Sequence, residues 1–214
     1  MEQAAHWRTW FSPSEQARFD GFGSEPRRRS FVAGRWLLRG LVAQRLGLLP
    51  GALDLAIEID ANGRSRVRGD SSLHVSISHS GDRVAAVVAG APVGLDIEDL
   101  RRPRDFLALA EMVHTPPQGR RLCGLPSQGQ AQQFYTWWTL KEAWLKSRGL
   151  GLDLALMRRL DFTPTERGDA ACAVLPVSGL ALALQGPRLG IDSLPVQLAG
   201  EALQWQILES RLDP

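Results

Sequence analysis

Two acidic residues lie close together in the segment Gly94-Leu-Asp96-Ile-Glu98. In an extended strand, residues two positions apart project to the same face, so Asp96 and Glu98 are expected side by side. Adjacent carboxylates repel each other and are costly to bury, and a divalent cation relieves both penalties. Mg²⁺ prefers oxygen ligands, typically one or two carboxylates, waters and phosphates. The pattern indicates a Mg²⁺ site, although on its own it also fits an exposed strand end with two ordinary acids.

A second pattern lies between Trp138 and Lys146. Trp138, Glu142 and Lys146 are spaced four residues apart and therefore share one face of a predicted helix. Glu142 is a candidate third carboxylate for the cation, and Lys146 is a candidate partner for a phosphate. Lys141 and Lys146 are the only lysines among the 25 Lys and Arg residues. That rarity favours a function for a compact ammonium, and an i,i+4 ion pair beside a buried tryptophan is the alternative.

Two further segments suit phosphate groups. The segment Ser78-His79-Ser80-Gly81 is expected at a strand-to-turn junction, where hydroxyls, an imidazole and backbone N–H groups can surround an anion. Guanidinium groups bind phosphates in a bidentate manner, and arginines gather in one stretch: Arg27, Arg28, Arg29, Arg35 and Arg39. A capped turn and a solvated helix face are the alternative interpretations. Taken together, these segments and the acids fit a diphosphate held through a cation.

The segments that carry these residues are predicted as helices mixed with antiparallel strands. Ser12-Pro-Ser-Glu15 indicates a capped helix start, and Asn62-Gly63 indicates a tight hairpin turn. The expected elements are a helix over about 26–46, hairpins 55–59 with 64–68 and 74–79 with 84–89, a strand 93–97, helices 104–113 and 130–147, and short strands within 158–210. Residues 115–130, rich in Pro, Gly and Gln, are expected to form a loop. The mixture predicts an α+β fold with two halves, 1–103 and 104–214.

Composition narrows the function classes. The chain has 214 residues and a net charge of only +2, which argues against a general nucleic-acid binder. Cys123 and Cys172 match no metal or redox spacing and suit a reducing compartment. No apolar run approaches membrane-spanning length, and the N-terminus lacks the pattern of a secretory signal. We therefore expect a cytoplasmic protein with neither a nucleic-acid nor a membrane partner.

Three motifs together resemble a known family. Ser78-His79-Ser80, Gly94-x-Asp96-x-Glu98 and Trp138-x-x-Lys141-Glu142-Ala143-x-x-Lys146 resemble the 4′-phosphopantetheinyl transferases of the larger, monomeric, surfactin-synthetase-activating type. The family serves nonribosomal peptide, polyketide and fatty-acid synthases. The resemblance implies two similar α/β halves related by a pseudo-twofold axis, with the active site in the cleft between them. It further implies coenzyme A as co-substrate, Mg²⁺, acyl or peptidyl carrier proteins as partners, and a monomer.

The resemblance also assigns roles to individual residues. It matches Asp96, Glu98 and Glu142 to the metal-binding acids, and Lys146 to a residue near the coenzyme A phosphates. It matches a second group to the phosphoadenosine end of coenzyme A: Arg64, Ser78 and His79, with Arg29 or Arg35 at the 3′-phosphate. Lys141 would either orient the leaving phosphate or hold its helix in place.

The predicted reaction is transfer of the 4′-phosphopantetheine arm of coenzyme A to a carrier-protein serine, with release of adenosine 3′,5′-bisphosphate. Asp96, Glu142 and Lys146 would be its catalytic residues. Glu142 or a water on the metal would accept the serine proton, and the sequence does not choose between them. The alternatives are a Mg²⁺-dependent phosphohydrolase or nuclease that uses the same acids, and a non-enzymatic nucleotide- or RNA-binding module built on the arginine-rich helix.

Overall fold

The chain divides into two compact units that both mix helices with antiparallel strands. The computed structural model describes residues 9–49, 55, 57–165, 168–175, 179–186 and 202–207, and gives the backbone alone for residues 128, 173–175 and 202–207. Unit 1 spans residues 1–93 and unit 2 spans 94–214. The predicted α+β class is confirmed. The division falls at the start of the acidic strand, whereas the change in sequence character predicted it near residue 103.

The described residues of unit 1 form two helices followed by two hairpins. Its elements are α1 (Pro13–Asp20), α2 (Glu25–Arg45), β1 (Ile57–Ile59), β2 (Ser65–Val67), β3 (His74–Ser80) and β4 (Arg83–Ala89). β1 pairs antiparallel with β2, and β3 with β4, as predicted. Gly63 and Gly81 have positive φ angles of 79° and 61° in the two connecting turns, a conformation that glycine adopts without steric cost.

Helix α2 packs on one face of the β3–β4 hairpin. Leu38 and Val42 of α2 are fully buried, and Ile77 of β3 packs against the cluster they form. A Cβ on Gly34 would lie 3.2 Å from Ile77 Cγ2, so the absence of a side chain lets the helix approach the strand closely. Because Ile77 faces the helix, Ser76 and Ser78 project to the opposite face of the hairpin.

A buried ion pair joins the two helices of unit 1. Arg39 donates to both carboxylate oxygens of Glu15, at 2.9 and 2.6 Å, and both side chains are fully buried. Glu15 also accepts from the backbone N–H of Ser12 at 2.8 Å, which completes the predicted capping box of α1. Glu15 thus serves as both a helix cap and the counter-ion of a buried arginine.

We expect Glu15→Gln to destabilise unit 1 by about 3–5 kcal/mol, because it replaces the carboxylate that faces the buried Arg39 charge with a neutral amide. Glutamine can still complete the capping box, so the change isolates the charge. The matched control is Glu58→Gln, whose partner Arg68 is 57% exposed; its effect is expected to stay within about 1 kcal/mol. Urea denaturation of both variants measures this, and equal effects would contradict the assignment.

Unit 2 contains a five-stranded antiparallel sheet. Its elements are β5 (Gly94–Asp99), α3 (Phe106–Val113), α4 (Pro116–Cys123), α5 (Ser127–Arg148), α6 (Leu154–Met157), β6 (Phe162–Thr165), β7 (Ala170–Leu175), β8 (Leu180–Gln185) and β9 (Ala202–Ile207). The strand order is β5-β8-β7-β9-β6. Among the described residues no helix is long and apolar enough to cross a membrane.

The loop predicted over 115–130 is wrong, because helix α4 and the first turn of α5 occupy it. Thr115 caps α4 through a capping box with Gln118, and Pro116 stands in the first turn of the helix. Proline in the first turn favours a helix, since its missing N–H would have no intrahelical partner there. The sequence contained this helix-start signal, but the loop prediction rested on the Pro- and Gly-rich composition of the segment.

Helix α5 lies on the sheet over small side chains. Ala143 of α5 is fully buried in the same cluster as Ala181 and Ala183 of β8. These alanines let the helix backbone approach the strands, and Ala183 is the cross-strand neighbour of Asp96. The helix ends at Gly149, which has a φ of 73° and so forms a left-handed cap, a conformation that glycine adopts readily at helix ends.

Candidate functional site

The candidate site is formed where β5 and α5 meet. Gly94, Asp96 and Glu98 are two residues apart in β5 and therefore share the face of the strand on which α5 packs. A Cβ on Gly94 would lie 1.9 Å from the carbonyl oxygen of Ala143 and 2.5 Å from the backbone nitrogen of Ser147. Only glycine permits this close approach, which brings the last turns of α5 onto the acidic strand.

Asp96, Glu142 and Lys146 come together at this contact. The Nζ atom of Lys146 donates to Asp96 Oδ1 at 2.6 Å and lies 3.4 Å from Glu142 Oε2. The side chains differ in exposure, at 4% for Asp96, 19% for Glu142 and 28% for Lys146. One ammonium thus bridges two carboxylates that are 46 positions apart in sequence.

The site carries more negative than positive charge. Burial, followed by repulsion from Asp96, raises the pKa of Glu142 to about 7, against the attraction of Lys146. Repulsion from Glu98 contributes in the same direction, which places Glu98 within electrostatic reach of Glu142. For Lys146, burial acts to lower the pKa, but attraction to Asp96 and Glu142 outweighs burial and raises it. The lysine therefore stays protonated but does not fully compensate the acids.

This donor set fits Mg²⁺ in chemistry and charge. Carboxylate oxygens are the ligands that the ion prefers, and its usual sites use one or two of them together with waters and substrate phosphates. The unfavourable charge on Glu142 is the penalty that a divalent cation would relieve. Among the described residues no three His, Cys, Asp or Glu side chains already form a metal-binding group. Asp96 and Glu142, with Glu98 nearby, are the residues that would hold the ion.

Sequence comparison places these residues in a known family. The profile of the 4′-phosphopantetheinyl transferase superfamily matches residues 92–182, which include both acidic segments and Lys146. The chain is 34% identical over 161 residues to the 4′-phosphopantetheinyl transferase HetI of Nostoc sp., covering 72% of this chain and 66% of the relative. It is 34% identical over 128 residues to the 4′-phosphopantetheinyl transferase psf-1 of Bacillus pumilus, covering 60% of this chain and 53% of the relative.

The chain belongs to the 4′-phosphopantetheinyl transferase superfamily. A third relative, a 4′-phosphopantetheinyl transferase of Bacillus subtilis, is 28% identical over 125 residues, which cover 58% of this chain and 54% of the relative. The chain therefore spans between about half and two thirds of the length of the first relatives that it matches. The resemblance inferred from the three motifs is confirmed at the level of the family.

Unit 1 brings His79 close to an arginine that the sequence did not single out. Arg27 at the start of α2 donates to the His79 ring at the end of β3. Ser78 is buried on the opposite face of that strand. Arg29, one of the two candidates for the 3′-phosphate, is exposed on α2. Arg27 is therefore the α2 arginine that the fold places beside His79.

Arg35, the other candidate for the 3′-phosphate, is held by contacts within unit 1. It is buried, donates to Ser65 Oγ at 2.5 Å and lies 3.8 Å from Glu15. Burial lowers its pKa to about 10, although Glu15 acts to raise it. These contacts tie α2 to the β1–β2 hairpin. Arg64 is half-buried in that hairpin, and its backbone N–H donates to Asp60 at 3.0 Å.

Lys141 is buried in the protein rather than directed at a ligand. It is fully buried, and its Nζ donates to the Val113 carbonyl at 2.8 Å, to His114 Nδ1 at 3.1 Å and to Gln118 Oε1 at 2.8 Å. Gln118 in turn donates to Asp161 at 3.0 Å. All three N–H groups of the ammonium thus have acceptors inside unit 2. Of the two roles predicted for Lys141, this geometry supports holding the helix and not binding coenzyme A.

Lys141, His114, Gln118 and Asp161 form a cluster, here called the Lys141 cluster. Burial strongly lowers the pKa values of its lysine and its histidine. Burial lowers the pKa of Lys141 to about 7, against the attraction of Asp161. Burial and the nearby ammonium lower the pKa of His114 to about 2, so the imidazole is neutral at physiological pH. A neutral imidazole can accept the proton that the ammonium donates.

We expect the free energy of unfolding to rise between pH 7 and pH 9, and Lys141→Met to abolish that rise. In this window the unfolded chain holds the lysine proton, with an ordinary pKa of 10.5, whereas the folded chain has begun to release it. Above pH 9 the buried Cys172 thiol, whose pKa is raised to about 12, acts in the opposite sense. Urea denaturation across the window measures the slope, and an unchanged slope in the variant would refute the assignment.

The sequence missed three features of the site. Arg27 belonged to the arginine group, but nothing local distinguished it from its neighbours. The buried Tyr135 lies within electrostatic reach of Glu98: burial and then the Glu98 charge raise the pKa of Tyr135, against a hydrogen bond from Arg104. The role of Gly94 as a contact point was also missed, although a glycine that opens a strand of a site motif is a signal of close backbone approach.

Proposed function

We propose that the protein transfers the 4′-phosphopantetheine arm of coenzyme A to a serine of an apo acyl or peptidyl carrier protein, with Mg²⁺ as cofactor. The observation that carries the proposal is the junction of Asp96, Glu142 and Lys146 in a chain of this superfamily. The same proposal includes four further points: the larger type of the family, a monomeric state, a cytoplasmic location and a pseudo-twofold relation of the halves. The last is supported by one long helix packed on antiparallel strands in each unit.

The reaction needs a proton acceptor, a neutralised leaving group and an oriented diphosphate. The carrier serine oxygen forms a bond to the phosphorus next to the pantetheine arm, and the bond from that phosphorus to the bridging oxygen breaks. Glu142 takes the serine proton as general base, since its carboxylate is the more exposed of the two acids that Lys146 contacts. Lys146 stabilises the negative charge that grows on the departing adenosine 3′,5′-bisphosphate. When bound by Asp96, Glu98 and Glu142, Mg²⁺ supplies Lewis-acid stabilisation of the phosphates.

The remaining coenzyme A contacts are proposed within unit 1. His79 and Arg27 lie together at the end of β3 and the start of α2, and we propose that both bind phosphate oxygens of the phosphoadenosine end. Ser78 and Arg64 contribute to the same end. Arg29 is exposed and able to contact the 3′-phosphate. Arg35 contributes by fixing the β1–β2 hairpin.

The decisive experiment is incubation with coenzyme A, Mg²⁺ and a panel of apo-carrier proteins, followed by intact-mass measurement. A carrier that gains one phosphopantetheine group confirms the transfer. Replacing the carrier serine with alanine should abolish the gain, and addition of a chelator should stop it. No gain on any carrier, under conditions where a characterised transferase modifies the same panel, would contradict the proposal.

The two alternative functions predict different results. A Mg²⁺-dependent phosphohydrolase would cleave coenzyme A or a phosphodiester without any carrier protein. An RNA-binding module would show affinity that falls steeply with salt and is unaffected by Asp96→Ala. The superfamily match favours the transferase over both.

A further inference from the structure

The position of Glu142 depends on how helix α5 is rotated about its own axis. The buried residues of α5 lie around most of the helix, and only the face of Trp138, Glu142 and Lys146 is partly exposed. The buried residues are Phe134, Tyr135, Thr136, Trp137, Thr139, Leu140, Lys141, Ala143, Trp144, Leu145 and Ser147. A helix with one apolar stripe is oriented by burying that stripe. A helix buried around most of its circumference has no single stripe, so directional polar contacts add to what apolar packing defines about its rotation.

Small rotations matter at the site. A helix with its side chains is about 10–12 Å across, so a rotation of about 20° moves a side-chain end by about 2 Å. Lys146 Nζ lies 2.6 Å from Asp96 and 3.4 Å from Glu142, and a shift of that size would separate them. Catalytic groups misplaced by about 1 Å can lose about 10²-fold in rate.

Lys141 provides the directional contacts that apolar packing lacks. Its ammonium donates to the last residue of α3, to His114 and to Gln118 of α4, so three bonds converge on one atom of α5. Burying an ammonium is costly unless every proton finds an acceptor, and here each proton does. A compact ammonium meets acceptors on three sides, whereas the planar fork of an arginine does not.

We propose that Lys141 is a positioning residue, which fixes the rotation of α5 against α3 and α4 and thereby holds Glu142 beside Asp96. It has no contact with substrate and acts only through its neighbour in the chain. This inference rests on the proposed function for the identity of the reaction, but the geometric claim concerns Glu142 and is testable without any transfer. The approach of Gly94 to Ala143 and the hydrogen bond of Lys146 to Asp96 hold α5 on its β5 side, and the Lys141 contacts hold the helix on the side of α3 and α4.

The test compares Lys141→Met with Leu140→Ala, a variant of an equally buried apolar residue on the same helix. We expect Lys141→Met to lower kcat per folded molecule by about 10–100-fold, with the KM for the carrier protein within about twofold. Leu140→Ala should lower Tm at least as much but keep kcat within about threefold. Equal losses of kcat in the two variants would show that Lys141 merely stabilises the fold.

Mn²⁺ affinity, measured by electron paramagnetic resonance without carrier or coenzyme A, gives a second readout. Lys141→Met should weaken Mn²⁺ binding by about tenfold, because Glu142 is displaced, whereas Leu140→Ala should leave it unchanged. An unchanged affinity in Lys141→Met overturns the positioning role even if the protein proves not to be a transferase. Conversely, the wild type could fail to transfer while Lys141→Met still binds Mn²⁺ more weakly than the wild type. That result contradicts the proposed function and not this inference.

Gln118→Met keeps the inference testable if Lys141→Met does not fold. The change removes one acceptor of the ammonium on α4, far in sequence from Glu142, and preserves side-chain volume. We expect the same direction of change with a smaller size, about 3–10-fold in kcat, again with KM unchanged. A folded Gln118→Met with wild-type kcat and wild-type Mn²⁺ affinity would overturn the proposal.

Discussion

Glu142→Gln is expected to abolish most transfer activity while making the protein more stable. The amide cannot accept the serine proton and is a poorer cation ligand, so kcat should fall by about two to four orders of magnitude. At the same time the change removes a buried charge that Asp96 repels. A folded molecule that gains stability as it loses activity is typical of an active site that is electrostatically strained.

The sign of the stability change follows from the raised pKa of Glu142. Its carboxyl has an ordinary pKa of 4.5 and a folded pKa of about 7, so between these values the folded chain binds more protons than the unfolded chain. The free energy of unfolding contributed by this group therefore falls as pH rises through the window. Glutamine does not titrate, so the variant should lose that fall and be the more stable protein at pH 8.

The measurement is urea denaturation at several pH values in the presence of a chelator, together with the transfer assay. The matched control is Glu111→Gln on the exposed surface of α3, which should change neither activity nor the pH dependence. A Glu142→Gln protein that retains more than about a tenth of wild-type kcat would remove Glu142 from the chemistry. A variant less stable than wild type at pH 8 would mean that Glu142 is mainly a partner of Lys146.

The sequence predicted those parts of the fold whose signals are local. The Asn62-Gly63 hairpin and the Ser12–Glu15 capping box each depend on residues within about five positions of one another. The structure has both where the sequence placed them. Helix α4 was missed because Pro and Gly were weighed by composition instead of by their position relative to the Thr115 cap.

The sequence predicted which residues of the candidate acidic site share a face of one element, because that spacing is also local. Asp96 and Glu98 share a strand face, and Glu142 and Lys146 share a helix face, so only the meeting of strand and helix required the fold. The arginines were less predictable. Arg39 is paired with Glu15, 24 positions away, and no local pattern distinguishes it from an exposed arginine on the same helix.

The two lysines also show that a local pattern does not reveal which side chains become buried. Lys141 and Lys146 both occur in the motif, and the rarity of lysine in the chain indicated a special use for both. The structure gives them different uses, since one ammonium is enclosed by Val113, His114 and Gln118 while the other bridges Asp96 and Glu142. Five positions on a helix change the direction of a side chain by about 140°. The packing neighbours of α5 decide which of these directions points into the core. The motif does not encode those neighbours.

Gly94→Ala is expected to disrupt the site more than any other single methyl group in the described part of unit 2. The added Cβ would lie 1.9 Å from the Ala143 carbonyl oxygen and 2.5 Å from the Ser147 nitrogen, and both are backbone atoms that no rotamer change can move. Helix α5 must therefore shift away from β5. Overpacking of this kind costs about 1–3 kcal/mol or more, and the shift carries Glu142 and Lys146 away from Asp96.

The expected result for Gly94→Ala is a lower Tm together with a loss of transfer of about 10²-fold or more, since the groups on β5 and α5 no longer meet. The matched control is Gly119→Ala in α4, where nothing lies within 4 Å of the added Cβ. That change should raise stability by up to about 1 kcal/mol, because alanine favours a helix over glycine. If Gly94→Ala behaved like Gly119→Ala, α5 would not lie against β5 as described. The assignment of a site formed by these two elements would then be wrong.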